Sequence, residues 1–201
     1  DPVLALAARY DEVAGDREQL EREIEGQIEA AIAAAEAAPL PDPAEITRGV
    51  YGPRPVVEAA PEPGSRVLTF GAAMDEALRQ AMEADPRVSY SGEDLEAASR
   101  GKGFPEGRVR DTPISEVAIV GLGTGAALVG DRPVVDIMYA DFATIAMDQI
   151  VNQAAKIRFM LGGEAEVPLI IRMHVGGGVN AAAQHSQSLE AWFAHVPGLT
   201  V

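Results

Sequence analysis

Four apolar residues recur at every fourth position near the start of the chain: Leu20, Ile24, Ile28 and Ile32. That spacing keeps them on one stripe of a helix and leaves Glu18, Glu21, Glu25 and Glu29 on its other faces. The pattern predicts a helix within residues 1–38, N-capped by Asp16 and stopped by Pro39, with a solvated acidic face and a narrow docking stripe. Pro39, Pro41, Pro43, Pro53, Pro55, Pro61 and Pro63 follow. Proline fixes φ and removes a backbone donor, so residues 39–66 are expected to form an extended connector.

From Val67 onward the periodicity switches between helix and strand. Thr69 is placed to cap a helix running to about Glu83, with Phe70, Ala73, Met74, Ala77, Leu78 and Ala81 on its apolar side. Residues 87–91 read as a short strand, 97–112 as a mobile glycine-rich surface loop, and 133–138 as a β-branched strand. Residues 141–161 have the pattern of one long helix ending at Gly162-Gly163, and 168–173 that of a buried strand. Strands alternating with helices predict an α/β fold: a parallel sheet flanked by helices on both faces, preceded by an N-terminal helical segment.

Composition narrows the chemistry. The 201 residues hold 16 Lys+Arg against 31 Asp+Glu, a formal net charge of −15. A nucleic acid backbone or an anionic membrane surface needs a basic face, so neither is an expected partner. With no cysteine there is no disulfide, thiolate nucleophile or iron–sulfur site. No apolar run approaches the roughly 18 residues of a membrane span and no signal peptide opens the chain, so a cytoplasmic location is expected. The first residue is Asp1 and the last a Val in mid-pattern, which suggests a piece of a longer polypeptide.

Residues 117–130 contain Gly121, Gly123 and Ala126 in the G-x-G-x-x-A spacing of a dinucleotide fingerprint, with Asp136 downstream. Were Val117–Val120 a strand, the residues left before Pro133, Leu122–Asp131, would be marginal at best for a crossover helix with its turns, which needs at least ~10–12 residues. A single buried helix from Ser115, whose glycines permit close approach, is the better reading. Glu116 lies between apolar Pro113-Ile114 and that helix. It is either a helix-terminal acid favoured by the dipole or a proton-sharing carboxyl facing a ligand nitrogen. His174, His185 and His195 form no H-x-x-x-H pair and no Ser-His-Asp order, which leaves metal hydrolysis and acyl-serine chemistry without support. His185 follows Gly176-Gly177-Gly178 on the C-terminal side of a strand, the end where open α/β sheets bind ligands. His195, beside Trp192 and Phe193, is expected to be a packing histidine, and Lys156 and Arg158 a solvated helix face.

Longer stretches carry a stronger signal. LTFGAAMDEAL (68–78), DTPISEVAIVG (111–121), YADFATIAMDQIVNQAAKIRFMLGG (139–163) and AAQHSQSLEAWFAHVPGLTV (182–201) closely resemble the β subunit of the first, decarboxylating component of thiamine diphosphate-dependent 2-oxo acid dehydrogenases. That family includes the pyruvate, branched-chain 2-oxo acid and acetoin enzymes. PLPDPAEITRGVY (39–51) resembles the C-terminal tail of their α subunit, so the resemblance implies a fused α/β chain. It has a helical tail at 1–51, a Pro-rich linker at 52–66 and a transketolase-like pyrimidine-binding domain at 67–201, incomplete at its C-terminal end.

The resemblance also implies roles. Glu116 matches the glutamate that hydrogen-bonds the pyrimidine nitrogen of thiamine diphosphate, Phe142 the aromatic residue that stacks on that ring, and Ile114 a residue lining its pocket. His185 matches the histidine that serves substrate and acyl transfer. Carbonyls of Val167, Leu169 and Ile170 fall where some relatives hold potassium. The G-D-G…N motif for magnesium and diphosphate is not in these residues, so the magnesium ligands are expected on an α-type diphosphate-binding domain and this segment alone is expected to be inactive. The implied partners are that domain and a lipoyl-bearing acyltransferase, within a homo- or hetero-oligomer; the alternative is a non-catalytic assembly module of such a complex. The implied enzyme decarboxylates a 2-oxo acid, or cleaves acetoin, and passes the acyl unit to a lipoyl group.

Overall fold

The computed structural model describes residues 5, 6, 9, 17–53, 64, 66–95 and 103–201. Asp16, Pro55, Pro61, Pro63 and Gly101, which entered the sequence reading, lie outside the described residues. The chain divides into two units, Asp1–Ile46 and Thr47–Val201.

The described part of the first unit is dominated by helix α1, Arg17–Ala37, which ends just before Pro39. Its charged faces are laced by pairs four residues apart: Arg17 Nε to Glu21 at 2.7 Å and Gln19 Nε2 to Glu23 at 2.9 Å. The stripe of Leu20, Ile24, Ile28 and Ile32 is exposed within the unit. Asp42 then caps a short 3₁₀ turn, Pro43–Glu45, by accepting from the Ala44 N–H at 2.8 Å.

In the second unit Thr69 Oγ1 accepts from the Ala72 N–H at 3.2 Å and starts helix α2, Phe70–Ala84. Strands β1 (Val88–Gly92), β2 (Val109–Asp111), β3 (Arg132–Ile137) and β4 (Ile170–Met173) form one sheet in the order β2-β1-β3-β4, with every pairing parallel. Helix α3, Glu116–Leu128, lies between β2 and β3 in the chain.

Alternation along β3 divides the core in two. Val134 packs with Met82, Val88, Tyr90 and Leu95 on the α2 side. Val135 and Ile137 pack with Ile119 and Val120 of α3 and with Ala143, Ala146, Ile150 and Phe193. Residues of opposite parity face opposite sides of a strand, so helices cover both faces of the sheet. This is the α/β fold expected from the alternating pattern, and β3 is its doubly covered strand.

Three local expectations differ from the structure. The loop expected over 97–112 contains β2, a strand of three residues, too short to show a period-2 signal. It is anchored by Arg108, whose guanidinium donates to the carbonyls of Val88 (2.8 Å) and Asp85 (2.7 Å). The long helix over 141–161 is broken into a 3₁₀ turn (Ala140–Thr144), a π-helical stretch (Asp148–Ala154) and a short helix α4 (Ile157–Met160). The Ala155 N–H reaches back five residues to Ile150 at 3.0 Å, where the backbone of Gly198 lies against Ala155. Tertiary contact here overrides a clean 3.6-residue pattern. Finally, β4 is an edge strand rather than a buried one: Ile170 is 61% exposed.

The fingerprint glycines sit inside α3, not at a strand-to-helix turn, which removes the dinucleotide geometry. Their use is packing: a Cβ on Gly123 would stand 2.8 Å from Val135 Cγ1 and 2.9 Å from Leu169 Cδ1. Gly125 has nothing within 4 Å. Gly123→Ala should therefore destabilise the domain by about 1–3 kcal/mol through overpacking, whereas Gly125→Ala should stabilise it by roughly 0.5–1 kcal/mol. Urea denaturation midpoints of the two variants check the contrast.

Candidate active site at the C-terminal edge of the sheet

Because all four strands are parallel, Gly92, Asp111, Ile137 and Met173 end at the same edge. The segments that follow β2, β3 and β4 carry the residues singled out by sequence. Glu116 opens α3 and is only 7% exposed. Ser115 makes no side-chain cap, and among the described residues no donor hydrogen-bonds the Glu116 carboxylate. A carboxyl so placed keeps the helix-terminal dipole as its support and has its hydrogen-bonding capacity left for something else.

After β3 the chain passes through a cis Met138–Tyr139 peptide into the 3₁₀ turn that carries Phe142. After β4 it makes the glycine excursion 176–178 and returns through a second 3₁₀ turn, Ala183–His185. The two segments meet. Phe142 and His185 are edge-to-face with ring centroids 5.2 Å apart, and Tyr139 packs edge-on to His185 at 5.0 Å. Backbone bonds hold the approach, from Ala140 N–H to the His174 carbonyl (2.9 Å) and from Gly176 N–H to the Gln187 carbonyl (3.1 Å). Ala182 carries the turn at φ 62°, a left-handed conformation rare for a residue with a Cβ.

Asp141, buried beside Phe142, ties the segments directly by accepting from Gln187 Nε2 at 2.7 Å. Burial pushes its carboxyl up, but the Gln187 hydrogen bond, backbone N–H groups and the nearby His185 outweigh it. They hold the group below the usual carboxylate range.

Sequence reasoning missed a buried polar cluster. Asp136 on β3 is 1% exposed, accepts from the Tyr90 hydroxyl at 2.5 Å, and has Arg172 Nε at 3.5 Å. Arg172 also donates to Asp75 at 2.9 Å. Desolvation pushes the Arg172 guanidinium down, and the phenol of Tyr90 and the two carboxylates more than reverse that, leaving it raised. Gly92 makes room: a Cβ there would stand 2.9 Å from Asp136 Cβ. A charged residue inside a β-branched strand was the available signal, spent on the dinucleotide pattern.

Other predicted residues lie elsewhere. Ile114 is 75% exposed. Val167, Leu169 and Ile170 lead into β4, at the edge of the sheet opposite Glu116 and His185, and the Val167 carbonyl already accepts from the Leu169 N–H at 2.8 Å. Among the described residues no group of three His, Asp or Glu side chains could hold a metal ion. His195 is exposed rather than packed. Lys156 and Arg158 are not a solvated face: they donate to the Pro197 carbonyl (2.5 Å) and the Ala165 carbonyl (3.1 Å). An apolar cavity of about 460 Å³ opens beside β4, lined by Ile171, Met173 and Phe193 among others, but by none of Glu116, Phe142 and His185.

The Asp141 carboxyl has a depressed folded value, so its contribution is present above the ordinary carboxylate range and is lost as pH falls through the folded value. Thermal midpoints of the wild type and Asp141→Asn, followed from pH 7 into acid, should show the wild type ahead at neutrality and the gap closing as that value is crossed.

Residues 66–201 match the family described as "Transketolase, pyrimidine binding domain". The β subunit of acetoin:2,6-dichlorophenolindophenol oxidoreductase from Cupriavidus necator is 43% identical over 154 residues, covering 68% of this chain and 46% of that protein. The β subunit of 2-oxoisovalerate dehydrogenase from Bacillus subtilis is 41% identical over 143 residues, covering 67% of this chain and 44% of that protein. A solved chain titled "Split gene transketolase, inactive beta4 tetramer" aligns at a TM-score of 0.46 and 25% identity, over 63% of this chain and 39% of that one. The chain thus spans under half the length of these curated relatives. With its family matched over the whole sheet and both rim segments, the chain belongs to the transketolase pyrimidine-binding-domain family.

Proposed function

We propose that this chain is the pyrimidine-binding part of a thiamine diphosphate-dependent dehydrogenase. The enzyme decarboxylates a 2-oxo acid, or cleaves acetoin, and passes the acyl unit to a lipoyl group. The observation that carries the reading is Glu116: a carboxyl enclosed at the start of α3, at the ligand-binding edge of a parallel sheet, with no donor among the described residues. A ring nitrogen that shares a proton with a carboxyl is the partner such a group lacks, so the residues present fit an aminopyrimidine.

When bound, thiamine diphosphate supplies the carbon that attacks the keto carbonyl and accepts the electrons released with carbon dioxide. The chain's residues supply the setting. Glu116 holds a proton between its carboxyl and the pyrimidine nitrogen, and the low-dielectric enclosure strengthens that exchange. Phe142 offers a ring for stacking, and Ile114 closes the pocket from its exposed position. His185, fixed against Tyr139 and Phe142, holds or returns a proton at the substrate oxygen.

Ile114 at 75% exposure, with Val117 and Leu122 also exposed, favours a covering partner domain over the site. We assign that cover to an α-type domain, which also holds magnesium and the diphosphate, within an oligomer that hands acyl groups to a lipoyl-bearing acyltransferase. The helical tail at 1–51 and linker at 52–66 fit a fused α/β chain, and no helix among the described residues is long and apolar enough to cross a membrane. A cytoplasmic location belongs to the same reading. So does potassium at the Val167, Leu169 and Ile170 carbonyls, which predicts a thermal midpoint higher in potassium than in equimolar lithium chloride.

Glu116→Gln keeps the size of the side chain but cannot share the proton. In the full-length protein it should lower turnover by at least about 10²-fold while assembly with partners is unchanged. Steady-state rates beside size-exclusion profiles check this. Unchanged turnover would sink the enzyme reading, and an assembly defect alone would favour a non-catalytic assembly module.

A further inference from the structure

Two side-chain contacts join the segments that leave β3 and β4, from neighbouring residues of the first segment. Phe142 meets His185 ring to ring at 5.2 Å. Asp141 Oδ1 accepts from Gln187 Nε2 at 2.7 Å and from the Gln187 N–H at 3.4 Å. The two sides differ in stiffness. The 3₁₀ turn Ala140–Thr144 is closed by its own bonds: Phe142 N–H to the Tyr139 carbonyl (2.9 Å), Ile145 N–H to the Phe142 carbonyl (3.0 Å) and the Thr144 hydroxyl to the Asp141 carbonyl (2.8 Å). The turn that carries His185 has less. Its N–H makes a long bond of 3.4 Å to the Ala182 carbonyl, which also accepts from the Ser186 hydroxyl at 2.7 Å, and the turn starts from the left-handed Ala182. Asp141 therefore stands on the anchored side and Gln187 on the held side.

The His185 ring makes no hydrogen bond among the described residues; Tyr139 and Phe142 touch it only as rings. Its nitrogens are left for a ligand, and its orientation comes from those ring contacts and from the backbone two residues away, where Asp141 grips Gln187. Ring-edge contacts are weakly directional and tolerate sliding, whereas a hydrogen bond to a carboxylate is short and directional. Asp141 also carries a cost that stability does not call for. Its Oδ2 is buried with no hydrogen-bond partner, and an unsatisfied buried acceptor works against folding. Both donors fall on Oδ1, which commits the carboxylate to the His185 segment.

We propose that Asp141 and Gln187 are positioning residues of the reaction, a strut that fixes where the His185 imidazole stands against the substrate. This rests on the thiamine-dependent reading for the step that His185 serves, and on geometry alone for the placement of the ring. The test uses the full-length protein. Gln187→Glu sets two carboxylates against each other, and Gln187→Leu deletes the donor without adding a charge. Asp141→Asn/Gln187→Glu exchanges the two ends and restores a carboxylate–amide bond at unchanged side-chain length. With whichever of pyruvate, 2-oxoisovalerate or acetoin is turned over, either single variant should lower kcat about tenfold or more and leave KM within about threefold. The exchange variant should recover most of that loss. In a His185→Gln background, Gln187→Glu should lower kcat no further, because the strut acts through the imidazole. In histidine-selective ¹³C NMR, the ring signal that disappears in His185→Gln should shift in Gln187→Glu and return in the exchange variant.

Unchanged kcat in both single variants beside a lowered one in His185→Gln overturns the proposal. So does an exchange variant that melts like the wild type yet stays slow, a loss that adds to that of His185→Gln, or a ring signal that does not move. Wild-type turnover in His185→Gln, or no turnover of any of the three substrates by the wild type, overturns instead the role that the thiamine reading gives His185, and the ring signal then decides the strut.

Discussion

The central strand β3 is covered on both faces and paired in parallel on both edges, and the site inherits its geometry from that enclosure. Val135 and Ile137 fix how close α3 comes, through Gly123, and the helix begins at the rim with Glu116. Val134 and Asp136 fix the other face, where Tyr90 and α2 pack. With every strand pointing one way, the segments leaving β2, β3 and β4 are delivered to one edge, and residues separated by dozens of positions converge there. A shift of one residue in β3 would exchange Asp136 with its apolar neighbours, expose the charge to the α3 core and unseat both rim segments.

Placing a carboxylate in that strand is costly unless it is bonded, and the fold answers with a phenol, a guanidinium and the space left by Gly92. These partners come from β1 and β4, the two neighbours of β3, so the polar cluster also ties the sheet laterally. Register and electrostatics support each other: the pairing of Asp136 with Gly92 on one side and Arg172 on the other brings the charge, its gap and its counter-charge into one row. Near the same rim Asp141 and Gln187 repeat the arrangement on a smaller scale, a side-chain bond between two loops that backbone bonds also join.

Much of this was legible in the sequence wherever a period was long enough to declare itself. The fourfold spacing of Leu20 to Ile32, the Thr69 cap and the β-branched run at 133–138 all correspond to elements in the structure. The loop-closure count that argued against a strand at Val117–Val120 was sound, because those residues are helical. Strand β2 escaped because three residues carry no period, and the broken helix after Tyr139 escaped because its apolar spacing survives a change from 3₁₀ to π winding. The polar cluster escaped for a different reason. Asp75, Tyr90, Asp136 and Arg172 sit on four elements, and only the sheet order brings them together. Of the candidate site residues, the convergence of Phe142 with His185 is visible in three dimensions, while Ile114 is exposed.

The backbone at Ala182 has a wider implication. An alanine held at φ 62° and ψ −164° stores about 1–3 kcal/mol that glycine would not, three residues before the histidine of the rim. The loop that presents His185 is thus spring-loaded, its ring held in place at the expense of resilience. A selection for heat resistance alone would relax this tension first, trading alignment at the rim for a calmer loop, so robustness and speed pull in opposite directions at a residue with no functional group of its own.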